Sequence, residues 1–327
     1  MKIHHFTSIL RPAFTLLALI GAGVGIFREE RWDGLFSIPE TTLLQALGLA
    51  LGVRIVESLR WASIATQLRF RFGYRRHLSW SFASRFSSAF LWGNLTGDTL
   101  RAIWLSIPLA GVEPQEHSTA RRWRADQTIV WERLLEGAAL TCLLVPTVLG
   151  IQGTETLSVW PFPDTRFFPL AILGFAGLAF YALSKTQTQI GIVAQHRLAQ
   201  AAQVLQQSKT YPGRQSAYFV ITLVGSLLKA QIIWLLGTGL PFEVGGWTAV
   251  NLYLASALSR LLPISLNGAG LRELVFAAYF AAHGGDPVDG LLLGLAVTGV
   301  ETLVALTGTV SFYRIINSFR TLSAPTN

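Results

Sequence analysis

Apolar residues in this chain come in long blocks, not in the alternation of half-buried strands or the narrow stripes of soluble amphipathic helices. A hydrocarbon layer about 30 Å thick takes roughly 20 helical residues to cross. Six blocks approach that length, at about 9–27, 43–59, 134–151, 167–183, 217–236 and 291–313, and each predicts a spanning helix. The first follows Lys2, His4, His5 and Arg11 as a secretory signal would. Phe27-Arg28-Glu29-Glu30 stands where a small-residue cleavage site belongs, so a retained helix is predicted. The stretch 185–215 differs in kind: rich in Gln and Ala, with only a modest apolar stripe, it predicts a cytoplasmic amphipathic segment on the membrane surface. It joins a first half, about 1–151, to a second, about 167–327, within one transmembrane domain spanning 1–327.

Composition sharpens this picture. Of 327 residues 51% are hydrophobic and 13% charged, against about 25% charged in a soluble domain. The fold class expected is an all-α polytopic membrane protein. The net charge of +8 points to orientation once its location is considered, and nucleic acid is not predicted as a partner. Basic residues gather at Arg69, Arg71, Arg75, Arg76 and Arg85, at Arg121, Arg122 and Arg124, at Lys185, Arg197, Lys209 and Arg214, and at Arg314 and Arg320. Between these clusters lie Glu29, Glu30, Asp33 and Glu40, then Glu155 and Asp164, then Glu243, then Asp286 and Asp289. Lys and Arg resist translocation, so the alternation predicts a multi-pass inner-membrane protein with both termini cytoplasmic.

The same accounting predicts two segments that enter and leave on one side. Residues 78–112 lie between two cytoplasmic basic clusters, and residues 247–283 lie between acidic or neutral loops and are broken by Pro263, Asn267, Gly268 and Gly270. Both are expected to be re-entrant helical hairpins, dipping from opposite faces. Irregular backbone at that depth is tolerated where protein or water satisfies its polar groups, which points to an internal site. Gly97-Asp98-Thr99-Leu100-Arg101 and Gly268-Ala269-Gly270-Leu271-Arg272 each precede an apolar helix. Glu132 and Glu301 then sit near the starts of the helices that follow. The pairing suggests an inverted repeat, a recurring transporter construction.

Ionisable residues in apolar blocks are the candidate chemistry, because a charge at the bilayer centre costs about 2.5–3.5 kcal/mol on insertion scales. Arg54, Glu57 and Arg60 form either a local ion-paired ladder near an interface or part of a site. Glu132, Arg133 and Glu136 are either the wet end of a helix or functional. Lys229 either snorkels or serves the site. Arg260, Arg272 and Glu273 flank Pro263 to Gly270, where a broken helix restarts with free N–H groups and a positive dipole end suited to phosphate. The alternative there is a purely structural bridge from Arg260 or Arg272 to Glu273 or Glu301. Trp32, Trp80, Trp92, Trp160 and Trp247 fit interfacial belts. The lone Cys142 cannot form an intrachain disulfide, and no metal-ligand spacing or phosphate loop predicts a cofactor.

Pro263-Ile264-Ser265-Leu266-Asn267-Gly268-Ala269-Gly270-Leu271-Arg272-Glu273, with Arg60-Trp61, the stretch from Asn94 to Arg101, and Glu132-Arg133, resembles the flippase-like transmembrane family found as the N-terminal region of lysylphosphatidylglycerol synthases. Two departures stand out. The family's Pro-Gly pair before Gly97-Asp98 is replaced by Asn94-Leu95-Thr96, and a usual Gly is Asn267. The chain ends at Asn327, so the resemblance implies lipid translocation or binding without the synthase's transferase domain. The expected activity is a non-enzymatic lipid flippase or scramblase for an anionic phospholipid or a polyprenyl- or glyco-linked lipid. The alternative is a subunit presenting such a lipid to a glycosyltransferase. A membrane-embedded transferase using Asp98, Glu132 or Glu273 as a general base lacks a nucleophile or metal to accompany it. The residues expected to hold a phosphate-bearing head group are Arg60, Asn94, Asp98, Arg101, Glu132, Arg133, Lys229, Arg260, Ser265, Asn267, Arg272, Glu273 and Glu301.

Overall fold

The computed structural model describes residues 2–28, 31, 33–92, 94–107, 118–148, 199–204, 206, 212–260 and 268–323. Every regular element among them is helical: α1 (Lys2–Arg28), α2 (Asp33–Phe36), α3 (Glu40–Gln67), α4 (Tyr74–Ser87), a π-helical turn (Ser88–Trp92), α5 (Asn94–Ser106), α6 (Ser118–Val148), α7 (Pro212–Thr238), α8 (Gly246–Ser259), α9 (Leu271–Ala282), α10 (Pro287–Leu306) and α11 (Thr309–Ser323). The expected span at 167–183, most of the segment 185–215, and Pro263, Ser265 and Asn267 lie outside the described residues.

Local chemistry sets the helix ends. α3 opens with Glu40 after Pro39, an acid at the positive dipole end. It closes at Arg69, whose φ of 67° turns the chain; the Arg124 guanidinium donates to the Leu68 carbonyl at 2.9 Å. Asp286 caps α10 by accepting from the Val288 N–H at 2.9 Å, with Pro287 in the first turn. Arg31 pairs with Asp286 and Asp289 at that same end.

Among the described residues three stretches are long and apolar enough to cross a bilayer: Glu40–Gln67, Pro212–Thr238 and Pro287–Ser318. They contain the expected blocks 43–59, 217–236 and 291–313. The block at 9–27 lies within α1. The block at 134–151 belongs to α6, which begins much earlier, at Ser118. Outward faces of these helices are apolar at helical spacing: Leu16, Ile20, Val24 and Phe27 on α1, Val220, Val224 and Leu227 on α7, and Leu303, Leu306 and Val310 on α10 and α11 are exposed. Water does not tolerate apolar faces of that extent on a monomer, whereas lipid does. The protein is an all-α membrane protein.

α3 and α7 pack against each other, and α10 packs on both. Around this centre the packing order repeats. α3, α4, α5 and α6 each touch the next, and so do α7, α8, α9 and α10. In each set a long helix is followed by two short ones and then a second long one. At 1.5 Å per residue, the 12 to 14 residues of α4, α5, α8 and α9 span only about 18–21 Å. The tightest seams need glycine. A Cβ on Gly97 of α5 would fall 2.6 Å from the Ser84 carbonyl of α4, and one on Gly290 of α10 would fall 2.5 Å from the Phe276 backbone of α9.

Trp80 is not interfacial. It is buried with Trp61, Phe72, His77 and Trp104, ring to ring, between α3, α4 and α5. Trp247 is exposed, consistent with the interfacial expectation.

Candidate functional site

The charged residues of the apolar blocks converge inside the helix assembly. Helical spacing makes this possible, since residues three and four apart share a face. α3 presents Arg54, Glu57 and Arg60; α5 presents Asp98 and Arg101; α6 presents Glu132 and Glu136; and Lys229 comes from α7. Arg85 near the end of α4, Arg260 at the end of α8, Arg272 in the first turn of α9 and Glu301 on α10 complete the set.

One group is built around Glu132, itself buried. Its Oε1 accepts from Arg60 Nη2 at 3.1 Å and its Oε2 from Arg101 Nη1 at 2.7 Å. Arg60 also donates to the Thr222 hydroxyl of α7 at 2.8 Å and to Glu136 at 3.5 Å. Asp98 receives Arg101 at 2.7 Å and Arg133 through Nε at 3.0 Å and through Nη2. Arg133 closes the ring on Glu136 at 2.6 Å. The Arg101 guanidinium also lies 5.1 Å over the Trp61 ring, a favourable cation–π contact. Trp61 stands edge-on to His77, whose buried ring nitrogens both lack a hydrogen-bond partner.

A second, smaller group sits on α3 and α7. Glu57 takes Lys229 at 2.5 Å and Arg54 at 2.8 Å.

The third group gathers on Glu301. Arg85 and Arg272 both donate to its Oε2, at 2.9 and 2.8 Å, and Arg260 lies 3.9 Å from Oε1. Arg272 is 1% exposed and the Glu301 side chain 27%, so Glu301 is the less buried of the two. Arg272 reaches the Thr298 hydroxyl at 3.3 Å. Glu273, fully buried, caps its own helix: Oε2 accepts from the Gly270 N–H at 2.6 Å and Oε1 from Thr298. The turn before α9 depends on Gly268 and Gly270, with φ of 83° and 82°, a region open to glycine. A Cβ on Gly268 would fall 2.8 Å from the Arg260 side chain.

The three groups communicate. Glu57 interacts electrostatically with Arg60 and Glu136 on one side and with Arg85 on the other. Arg101 and Arg272 stand in different groups, each bonded to the glutamate of the helix that follows it, Glu132 and Glu301.

Of the residues expected at the site, Arg60, Asp98, Arg101, Glu132, Arg133, Lys229, Arg260, Arg272, Glu273 and Glu301 come together. Ser265, Asn267 and the side chain of Asn94 lie outside the described residues. The structure bears on the alternatives left open by the sequence. The ladder over Arg54, Glu57 and Arg60 stops at Glu57, because Arg60 turns to α6. Lys229 does not snorkel; its ammonium finds Glu57 instead. Glu132 is not at a wet helix end, since α6 starts at Ser118 and carries it deep inside. Glu273 pairs with no arginine, being spent on Gly270 and Thr298. Gly97 to Arg101 lie within α5, where Gly268 to Gly270 form a turn ahead of α9. Arg85 is a functional candidate that charge counting misplaces among cytoplasmic residues. Its position within the expected hairpin 78–112 was the signal. Glu136, one turn beyond Glu132, is the other omission.

The profile of the family described as lysylphosphatidylglycerol synthase TM region matches residues 10–308. No curated protein and no solved structure shows detectable similarity to the chain.

Proposed function

The chain belongs to the family of the lysylphosphatidylglycerol synthase TM region, and from that premise we propose that it is a lipid flippase- or scramblase-like transporter. Its cargo is an anionic phospholipid or a polyprenyl- or glyco-linked lipid, moved across the inner membrane without chemistry. The observation that carries this reading is the set of ion-paired groups, with Glu132 and Arg272 buried, inside a largely apolar helix assembly. Charges at such depth are costly and mark transport pathways.

The packing order supports two re-entrant hairpins, α4–α5 and α8–α9, each too short in either arm to cross and each flanked by long helices. The matched pairs Arg101–Glu132 and Arg272–Glu301 support an inverted repeat, with the site at its centre. A head group enters the polar interior, exchanges contacts with Arg60, Arg101, Lys229, Arg260 and Arg272, and crosses while its chains remain in lipid. This removes most of the desolvation cost of moving the apolar part. Asp98, Glu132 and Glu301 hold the cations when no head group is bound. These carboxylates are engaged by arginines, and Glu273 by a backbone N–H and a hydroxyl, which disfavours a general-base role. The sequence carries no nucleotide motif, so movement runs down a gradient of lipid, ions or potential.

The test is reconstitution of the purified chain in liposomes holding a fluorescently tagged phosphatidylglycerol, with an impermeant quencher to follow leaflet exchange. Exchange should exceed that of empty liposomes at least tenfold and be lost in Arg272→Ala. Wild-type protein that binds the lipid yet never moves it under any gradient would favour a subunit presenting lipid to a glycosyltransferase.

A further inference from the structure

Four arginines gather at one end of the helix assembly, away from the ion-paired interior. α3 ends beside Leu68 and α4 starts at Tyr74. Arg69, Arg75 and Arg76 stand exposed on that connection, whose residues 68–76, Leu-Arg-Phe-Arg-Phe-Gly-Tyr-Arg-Arg, contain no acid. Arg122 is exposed near the start of α6. That helix end is fixed to the same connection, since Arg124 bonds the Leu68 carbonyl and Arg121 lies over the stacked rings of Phe70 and Phe72. The Arg76 guanidinium lies 5.6 Å over the Phe72 ring. Among the described residues none of the four pairs with a carboxylate.

Arg69 holds its place against backbone preference. Its N–H bonds the Thr66 carbonyl and the Phe70 N–H bonds the Ala65 carbonyl, both at 3.0 Å. This is the helix-ending turn whose left-handed position usually takes glycine. Arg69 occupies it at φ 67°, and no other non-glycine residue among the described ones has a positive φ. A side chain strains the backbone there, and an exposed guanidinium without a carboxylate does not offset the strain from within the fold.

The neighbouring surface identifies what these arginines meet. Ile55 and Leu59 are exposed apolar residues of α3. Ser63 and Thr66 continue that face at helical spacing, and their hydroxyls are spent on the carbonyls four residues back. The Tyr74 hydroxyl donates to the Ile55 carbonyl at 3.4 Å, which lays the residue before Arg75 against the same face. Charge bordering a face suited to acyl chains is the setting of a lipid head group, whereas an acidic protein needs no apolar face beside it. The planar fork of arginine fits phosphate oxygens two at a time.

We infer that Arg69, Arg75, Arg76 and Arg122 form a docking surface for the anionic phospholipid head groups of the membrane leaflet at this end of the protein. The inference goes beyond transport, since the surface gathers anionic lipid whether or not the interior moves it. The leaflet is the cytoplasmic one under the predicted orientation.

Full-length protein in neutral detergent is titrated into acyl-tagged phosphatidylglycerol and acyl-tagged phosphatidylcholine, following the anisotropy of the tag. Phosphatidylglycerol should bind tighter, by a margin that shrinks as salt rises. An arginine near an anionic surface is worth about fivefold in affinity, so Arg69→Gly/Arg75→Gln/Arg122→Gln should lose at least tenfold for phosphatidylglycerol and nothing for phosphatidylcholine. Arg76 is left on its rings in this variant. Arg69→Gly alone should weaken phosphatidylglycerol binding while holding or raising the thermal midpoint, a combination that a structural residue would not give. Should the triple variant fail to fold, Arg69→Gly decides. A preference for phosphatidylglycerol untouched by substitution, or a midpoint lowered by Arg69→Gly with binding intact, overturns the surface. Wild-type protein that favours neither lipid but binds polyglutamate also overturns it and makes the occupant an acidic polypeptide. The two readings fail separately. Leaflet exchange with an affinity indifferent to these arginines sinks only the docking surface, and arginine-dependent affinity without leaflet exchange sinks only transport.

Discussion

Glu132 holds two arginines from two different helices, and each of its oxygens serves one of them. Removing its charge leaves the buried Arg60 and the part-buried Arg101 short of an anion, and breaking a buried pair in this way costs about 3–5 kcal/mol. Arg133 touches the same network but is 48% exposed, where solvent screens it and a pair is worth about 1 kcal/mol or less. Glu132→Gln should therefore lower the thermal midpoint of the detergent-solubilised protein by many degrees, and Arg133→Gln by little; a reversed order would mean that burial does not govern these pairs. His77 makes the opposite case. Both its ring nitrogens are buried without a partner among Trp61, Phe72 and Trp80, so the polar atoms are desolvated with nothing gained. His77→Phe keeps a flat ring in the aromatic cluster and should leave the midpoint unchanged or raise it. A clear fall would reveal a hydrogen bond made by this imidazole.

At the scale of elements, the seams between helices set the tolerances. Gly97 brings α5 against α4 so closely that a methyl group would overlap the Ser88 hydroxyl, at 2.1 Å, and the Ser84 carbonyl. Gly48 of α3 faces open space. Gly97→Ala should destabilise by about 1–3 kcal/mol through overpacking, whereas Gly48→Ala should gain up to about 1 kcal/mol of helix propensity. Thermal midpoints of the two variants check the contrast. These seams were partly legible beforehand. The hydrophobic blocks located α3, α7 and α10 because lipid-facing residues announce themselves in a hydropathy window. The start of α6 was hidden because its first turns carry Arg121, Arg122 and Arg124. Arg121 and Arg124 lie over the Phe70 ring, and Arg121 bonds the Leu105 carbonyl at the end of α5 and the Ile107 carbonyl just beyond it. A run that reads as a polar loop is thus a helix paid for by contacts distant in sequence. The same distance hid Arg85, whose carboxylate stands 216 residues away, while Arg101 and Asp98 share a helix face that spacing alone exposes.

For the whole molecule, the decisive property is which side each hairpin opens to. If α4–α5 and α8–α9 turn back from opposite faces, both ends of one hairpin meet the same aqueous phase, and the ends of the other meet the opposite phase. The alternation of basic and acidic loops predicts a cytoplasmic position for the ends of α4–α5. Cys142 is the chain's sole cysteine and lies exposed on α6, so Cys142→Ser gives a silent background for labelling. In that background Arg75→Cys and Ser106→Cys should both react with an impermeant maleimide only in inside-out vesicles. Gly246→Cys and Gly285→Cys should both react only from the outer side of intact cells. Straight crossings would instead split each pair between the two sides. The buried ion pairs would then lose their place between two opposed hairpins. Matched labelling within each pair, opposite between pairs, puts the ion pairs on Glu132 and Glu301 where a head group must pass to change leaflets.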